Sequence, residues 1–406
     1  MSRTSLVTAD NVPPLQDRDA PALPFPQHLE RPLSLYVHVP FCQKRCIYCD
    51  FATFTGQEHQ MPAYVAALER EIESRCGDLG RPPAHTVFFG GGTPSLLPPP
   101  LLGRILTALR RYFDIDPRAE ITMEANPGTV DATYLTSVRA LGINRLSFGV
   151  QSLNDRTLQL LGRIHSANEA LEALALARRC GFDNLSADLI YALPGQTMAD
   201  WRATLCRVLR QGLPHLSLYA LTPEEGTPLW RALERGELTL PVSDRAAEMY
   251  EWARDELATH GYGHYEISNW AKPGWESRHN MAYWVQTPYL GFGVSAHGYF
   301  DGERRGNVRG LAAYLNRIAR GTDAAASRET IDERRARSDA MIFGLRVIDG
   351  VDRTRFRECY AADPLDLWPA EIAHLCEQGL LQVTPQAIVL TRAAHLLGNY
   401  VWEHFL

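Results

Sequence analysis

His38-Val39-Pro40-Phe41-Cys42-Gln43-Lys44-Arg45-Cys46-Ile47-Tyr48-Cys49-Asp50-Phe51 is the stretch on which the fold and the chemistry turn. It follows an apolar, strand-like run from Leu33 to Val39, and its cysteines are spaced C-x3-C-x2-C. Three thiolates on one short loop can each take one iron of a cubane and leave the fourth iron without a protein ligand. The amino and carboxylate groups of a methionine can chelate that open iron, bringing its sulfonium against a low-potential cluster. Zinc would want a fourth ligand at ordinary spacing, where only distant histidines are offered, and a disulfide would leave one thiol over. The reading is therefore a [4Fe-4S] cluster on Cys42, Cys46 and Cys49, with one iron open to a chelating ligand such as S-adenosylmethionine (SAM).

Working outward, apolar or β-branched runs recur at Leu33 to Val39, Thr86 to Phe89, Glu120 to Glu124, Arg145 to Val150, Asn184 to Ile190 and Leu216 to Leu221. All but the last lead into helix-like stretches such as Ala63 to Arg75, Leu101 to Tyr112, Ala167 to Arg179 and Met198 to Gln211. The alternation predicts βα units, and six of them can curve into a partial (β/α)6 barrel. In such barrels the chemistry sits just after each strand. The expected fold class is α/β, a partial barrel followed by a smaller, mainly helical C-terminal domain. The expected divisions are a mobile tail over 1–31, the barrel over 32–240, an aromatic-rich extension over 241–325 and the helical domain over 326–406.

Composition narrows the setting. The 47 acidic and 41 basic residues give a formal charge of -6, and no basic run marks a phosphate-tracking surface, so nucleic acid is not an expected partner. The first 31 residues hold five prolines and no apolar core of the kind a secretory or membrane-spanning segment requires. A cytoplasmic protein that does not itself span a membrane is expected. Cys76, Cys180, Cys206, Cys359 and Cys376 are scattered and read as buried thiols.

Polar groups then collect at the expected barrel mouth. Gly90-Gly91-Gly92-Thr93-Pro94 ends the second run, and its glycines allow a ligand amino group to approach backbone carbonyls. The Lys-Ser/Thr of a phosphate-binding loop is missing. Glu124, Gln151 and Asp188 come at or near the ends of successive strands, and Arg163 follows the fourth. A carboxylate, an amide and a guanidinium suit ribose hydroxyls, the methionyl ammonium and its carboxylate respectively. Tyr36 and His38, two apart on the first strand, share one face. Tyr48, between two cluster cysteines, can pack on adenine.

The motifs Tyr36-x-His38-x-Pro-Phe-Cys42, Gly90-Gly-Gly-Thr-Pro94, Phe148-Gly-Val-Gln151-Ser, Asp188-Leu-Ile-Tyr-Ala-Leu-Pro-Gly-Gln196 and Tyr265-Glu-Ile-Ser-Asn269 are collinear. Together they resemble the oxygen-independent coproporphyrinogen III oxidase family of radical-SAM proteins. The resemblance implies SAM contacts at Tyr36, Tyr48, Gly91, Gly92, Thr93, Glu124, Gln151, Arg163, Asp188 and Ala220. The oxidases carry a further Cys two residues after the third cluster Cys, where this chain has Phe51. His279-Asn280-Met281-Ala282-Tyr283-Trp284 instead resembles the HNxxYW signature of the family's haem-binding branch, in which the His is implicated in haem binding. An imidazole is a good axial ligand for haem iron, and Tyr283 and Trp284 can pack on the macrocycle. The resemblance therefore implies a haem chaperone: cluster, SAM and haem as cofactors, His279 as haem ligand, and acceptor haemoproteins, membrane-associated ones among them, as partners. The alternative it leaves is the oxidase itself, which decarboxylates two propionates to vinyl groups by radical chemistry.

Overall fold

The computed structural model describes residues 33–406, and the tail expected over 1–31 lies outside the described residues. Alternation within each strand builds the barrel wall. In β1 (Leu33–Val39), Leu35, Val37 and Val39 point outward into the main core, while Ser34, Tyr36 and His38 face inward. The chain continues through α1 (Met61–Cys76), β2 (Pro83–Gly91), α2 (Pro99–Tyr112), β3 (Asp114–Ala125), α3 (Ala132–Ala140) and β4 (Arg145–Gln151). It then forms α4 (Asp155–Leu161), α5 (Ala167–Arg179), β5 (Asn184–Tyr191), α6 (Met198–Leu209) and β6 (His215–Ala220). Neighbouring strands from β1 to β6 pair in parallel, as helical crossovers require. Helix starts are encoded locally. Ser166 with Glu169 and Thr197 with Asp200 form capping boxes that open α5 and α6.

The following elements are α7 (Pro228–Glu234), α8 (Ser243–Thr259), β7 (Gly263–Glu266), β8 (Asn269–Ala271), α9 (Arg278–Trp284), β9 (Tyr289–Phe292), β10 (His297–Phe300), β11 (Glu303–Asn307), α10 (Leu311–Ala319) and β12 (Ala325–Thr330). Their strands extend the same sheet, whose order is β12-β11-β10-β9-β1-β2-β3-β4-β5-β6-β8-β7, so the barrel stays open. The sequence division at 325/326 falls at the first residue of β12, and that at 240/241 lies between α7 and α8. Buried Glu71 of α1 ties the added strands on. It accepts hydrogen bonds from Gly293 N–H at 2.8 Å, Asn307 Nδ2 at 2.7 Å and the Tyr314 hydroxyl at 2.7 Å. The aromatic density of this region is partly core, since Tyr262 and Trp270 are buried and Trp270 stacks on His264 with centroids 4.4 Å apart.

The C-terminal part comprises α11 (Glu333–Gly344), β13 (Val351–Asp352), α12 (Arg353–Tyr360), α13 (Pro364–Leu367), α14 (Pro369–Glu377), β14 (Leu381–Val383), β15 (Ala387–Leu390) and α15 (Gly398–Glu403). It has its own core around Met341, Phe356, Ile372, Leu375 and Phe405. The apolar run broken at Pro385 is a hairpin, β14 against β15, because proline cannot donate to a ladder and sits in the turn.

Candidate functional site

The cysteine loop leaves β1 and is held at several points along its length. Cys42 N–H donates to Phe54 O at 2.9 Å, Phe54 N–H to Pro40 O at 2.7 Å, Ile47 N–H to Leu161 O at 3.1 Å and Leu229 N–H to Ile47 O at 2.9 Å. His38 braces it from within the barrel: Nε2 pairs with Ala52 O at 3.0 Å and Nδ1 with the Tyr36 hydroxyl at 3.0 Å. The Thr93 hydroxyl donates to Cys42 Sγ at 3.5 Å, and Arg163 Nη1 to Cys46 Sγ at 3.5 Å. Burial pushes the Cys42 thiol up and the Cys49 thiol up to about 11, each further raised by the neighbouring cysteines. Such thiols ionise readily only where a strong positive charge, such as bound iron, stabilises the thiolate.

Among the described residues no three His, Cys, Asp or Glu side chains converge closely enough to hold a single metal ion. A cubane makes no such demand, because each thiolate binds a different iron. Three thiols on one anchored loop, with Arg163 and Thr93 donating to their sulfurs, are a fitting donor set for a [4Fe-4S] cluster.

The companions stand around the same mouth. Gly91 has φ +114°, a left-handed conformation, and a Cβ there would lie 2.5 Å from the His38 ring. A Cβ on Gly92 would lie 2.7 Å from Phe41 O, in a turn held by Gly92 N–H to Val39 O and Thr93 N–H to Phe41 O. Glu124 Oε2 accepts from Gly91 N–H at 3.1 Å; burial, and then the nearby Asp188, push its carboxyl up to about 7. Asp188, raised mainly by burial, accepts from the Ser147 hydroxyl at 3.0 Å. Arg163 Nη2 donates to Gly149 O at 2.6 Å, while its buried Nε has no partner. Its guanidinium also faces Tyr48, whose hydroxyl burial pushes up. Gln151 ends β4 at φ +65°, a strained conformation for a non-glycine residue. Ala220 is the exposed last residue of β6. Gly91, Glu124 and Gln151 thus lie at the ends of β2, β3 and β4, while Tyr36 and Asp188 lie within β1 and β5.

His279 lies deeper in the structure. It is 1% exposed within the barrel, with Nδ1 bonded to the Thr86 hydroxyl at 2.7 Å and Nε2 to the Tyr283 hydroxyl at 2.8 Å. Its ring stacks on Phe88 at 4.9 Å, and burial lowers its pKa to about 3. Both nitrogens are hydrogen-bonded to protein hydroxyls, so iron ligation here would require one of these bonds to break. Glu120 of β3, not singled out in the sequence, accepts from Arg278 N–H and His279 N–H, both at 3.1 Å, and so fixes the start of α9 inside the barrel. No local pattern marks it, because its partners are some 160 residues away.

Residues 36–206 match the family model for the radical SAM superfamily. A Bacillus subtilis (strain 168) protein named heme chaperone HemW is 37% identical over 380 residues, spanning 92% of this chain and 99% of its own. One of the same name from Lactococcus lactis subsp. lactis is 37% identical over 378 residues, spanning 93% and 98%. Among solved structures, the Escherichia coli coproporphyrinogen III oxidase HemN, a radical SAM enzyme, is similar with a TM-score of 0.82 at 28% identity, covering 93% of this chain and 91% of that one.

Proposed function

The chain belongs to the HemW family of radical-SAM proteins, and from that premise we propose that it is a haem chaperone, carrying a [4Fe-4S] cluster and SAM and delivering haem to an acceptor haemoprotein. The observation that carries the haem half is the likeness to proteins named as haem chaperones along 92% and 93% of the chain. The donor set of the anchored loop supports the cluster half.

Cys42, Cys46 and Cys49 would each bind one iron. The cluster, when bound, would supply a low-potential electron to the sulfonium of SAM. The chain's own residues bind and orient that ligand. Gly91, Gly92 and Thr93 present backbone to the methionyl amino group beside Gln151, Arg163 meets its carboxylate, Glu124 takes ribose hydroxyls and Tyr48 packs on adenine. Tyr36, Asp188 and Ala220 complete the mouth. We place the protein in the cytoplasm, a compartment that keeps its eight free cysteines reduced. Its acceptors include membrane-associated haemoproteins; among the described residues no helix is long and apolar enough to cross a membrane.

Anaerobically reconstituted protein tests both halves. Cys42→Ala, Cys46→Ala and Cys49→Ala should each lose iron and the brown chromophore, while Cys76→Ala keeps them. Wild-type protein should develop a Soret band with hemin and pass the haem to an apo-haemoprotein. Iron retained in all three loop variants sinks the cluster assignment. Vinyl products from coproporphyrinogen, reductant and SAM, with no Soret band from hemin, would make the oxidase the better account.

A further inference from the structure

Barrel interiors are usually filled with aliphatic side chains, yet β3, β4 and β5 turn Glu124, Arg145 and Asp188 inward, because their neighbours Met123, Leu146 and Leu189 point outward into the main core. Among the described residues Arg145 is the only Lys or Arg that β1 to β6 bury. It is 1% exposed, and its Nε has no partner. A guanidinium so placed is costly unless negative charge lies close by.

Strand register identifies that charge. Arg145 pairs with Thr122 of β3, and Glu124, one inward step nearer the mouth, pairs with Ser147. The Ser147 hydroxyl donates to Asp188 at 3.0 Å. Arg145 thus lies one step beneath both mouth carboxylates, on a diagonal that a long side chain can span. Its charge lowers both carboxyls against the burial that raises them. Glu120, lower on β3, is already engaged by the Arg278 and His279 N–H groups. The remaining groups facing Arg145 are His215, Tyr265 and His279, none of them negatively charged at neutral pH. Glu124 in turn faces Asp188 from β5, the Gly91 N–H from β2, and the phenols of Tyr36 on β1 and Tyr283 on α9, which burial keeps neutral. Arg163 acts on Asp188. The cation facing Glu124 is Arg145.

Resting on the reading of Glu124 as a SAM-binding residue, we propose that Arg145 is a positioning residue of the SAM site: from beneath the mouth it keeps Glu124 ionised near neutral pH and so sets the pH range over which SAM binds. It acts through Glu124 and touches no part of the ligand.

SAM is titrated into reconstituted full-length protein between pH 6.5 and 8.5, and wild type is compared with Arg145→Met, whose side chain has similar reach and no charge. Loss of one unit charge at this separation should move the Glu124 carboxyl up by roughly one pH unit. From a starting value of about 7, SAM affinity should fall by about fivefold to tenfold near pH 6.5 but by less than about twofold at pH 8.5, with iron content unchanged. Titration of SAM itself is common to both proteins and cancels. Arg145→Lys keeps the charge and should follow the wild-type profile. If wild-type affinity rises with pH and that of Glu124→Gln does not, then no loss in Arg145→Met, or a loss by the same factor at every pH, overturns the role of Arg145 and leaves that of Glu124 standing. If wild-type affinity does not rise, or Glu124→Gln rises alike, both fall. Should Arg145→Met fail to fold, an Arg145→Lys profile displaced by the full pH unit overturns the proposal.

Discussion

At the scale of single residues, Glu124 shows how burial sets a working pH. Its carboxyl is raised to about 7 by burial and by Asp188, so it is largely protonated at pH 6 and ionised at pH 8. Only the ionised form accepts charge-assisted hydrogen bonds from Gly91 N–H and from ribose hydroxyls. SAM affinity should accordingly rise between pH 6 and 8, and Glu124→Gln should lack that rise. At pH 8 the variant should bind roughly tenfold to a hundredfold more weakly, the equivalent of about 1.5–3 kcal/mol for a hydrogen bond to a charged group. Its iron content should match wild type. Equal SAM titrations of the two proteins across this range would remove Glu124 from the ligand site.

At the scale of elements, α9 is the segment whose form is least its own doing. Seven residues are too few for a stable isolated helix. Contacts from other elements hold it: Ser277 caps it, Glu120 accepts its first N–H groups, and His279 is bonded to Thr86 on β2. Removing the His279 ring leaves a void and strands the Thr86 and Tyr283 hydroxyls, so His279→Ala should cost about 2–4 kcal/mol in chemical denaturation. Its Soret band, normalised to folded protein, should match wild type. A lost Soret band with unchanged stability would return His279 to the role of iron ligand and contradict the sealed geometry. Glu120→Ala should destabilise through the same helix without changing iron content.

At the scale of the whole molecule, buried histidines govern acid stability. Burial lowers His38, His165 and His395 to about 4, His264 and His279 to about 3, and His215 well below its ordinary value of 6.5. Below pH 6.5 the unfolded chain takes up protons at these positions that the folded chain refuses. Each histidine therefore removes up to about 1.4 kcal/mol of stability per pH unit as pH falls from 6.5 towards its folded value. Glu124, Asp188, Glu266 and Asp339 act in the opposite sense, because burial raises their carboxyls and so favours the fold as pH falls. The six histidines outnumber these four carboxyls, so the urea midpoint of iron-free protein should drop steadily from pH 6.5 to pH 5. A midpoint that is flat or rising over that interval would show that these rings are protonated within the fold.

The strand and helix alternation from Leu33 to Ala220 and the cysteine loop straight after β1 were both legible in the chain itself. They rest on contacts between near neighbours: a two-residue strand period and a spacing of thiols within one loop. The clustering of Gly91, Glu124, Gln151 and Asp188 followed as well, because parallel strands bring their ends to one side. Only the tertiary structure decided that β9 to β12 extend the sheet past β1 and that α9 enters the barrel. His279 lies in a telling sequence motif, yet Thr86, 193 residues earlier, bonds one of its nitrogens. Whether a side chain is sealed or presented depends on which distant element covers it, and neither periodicity nor local spacing carries that information.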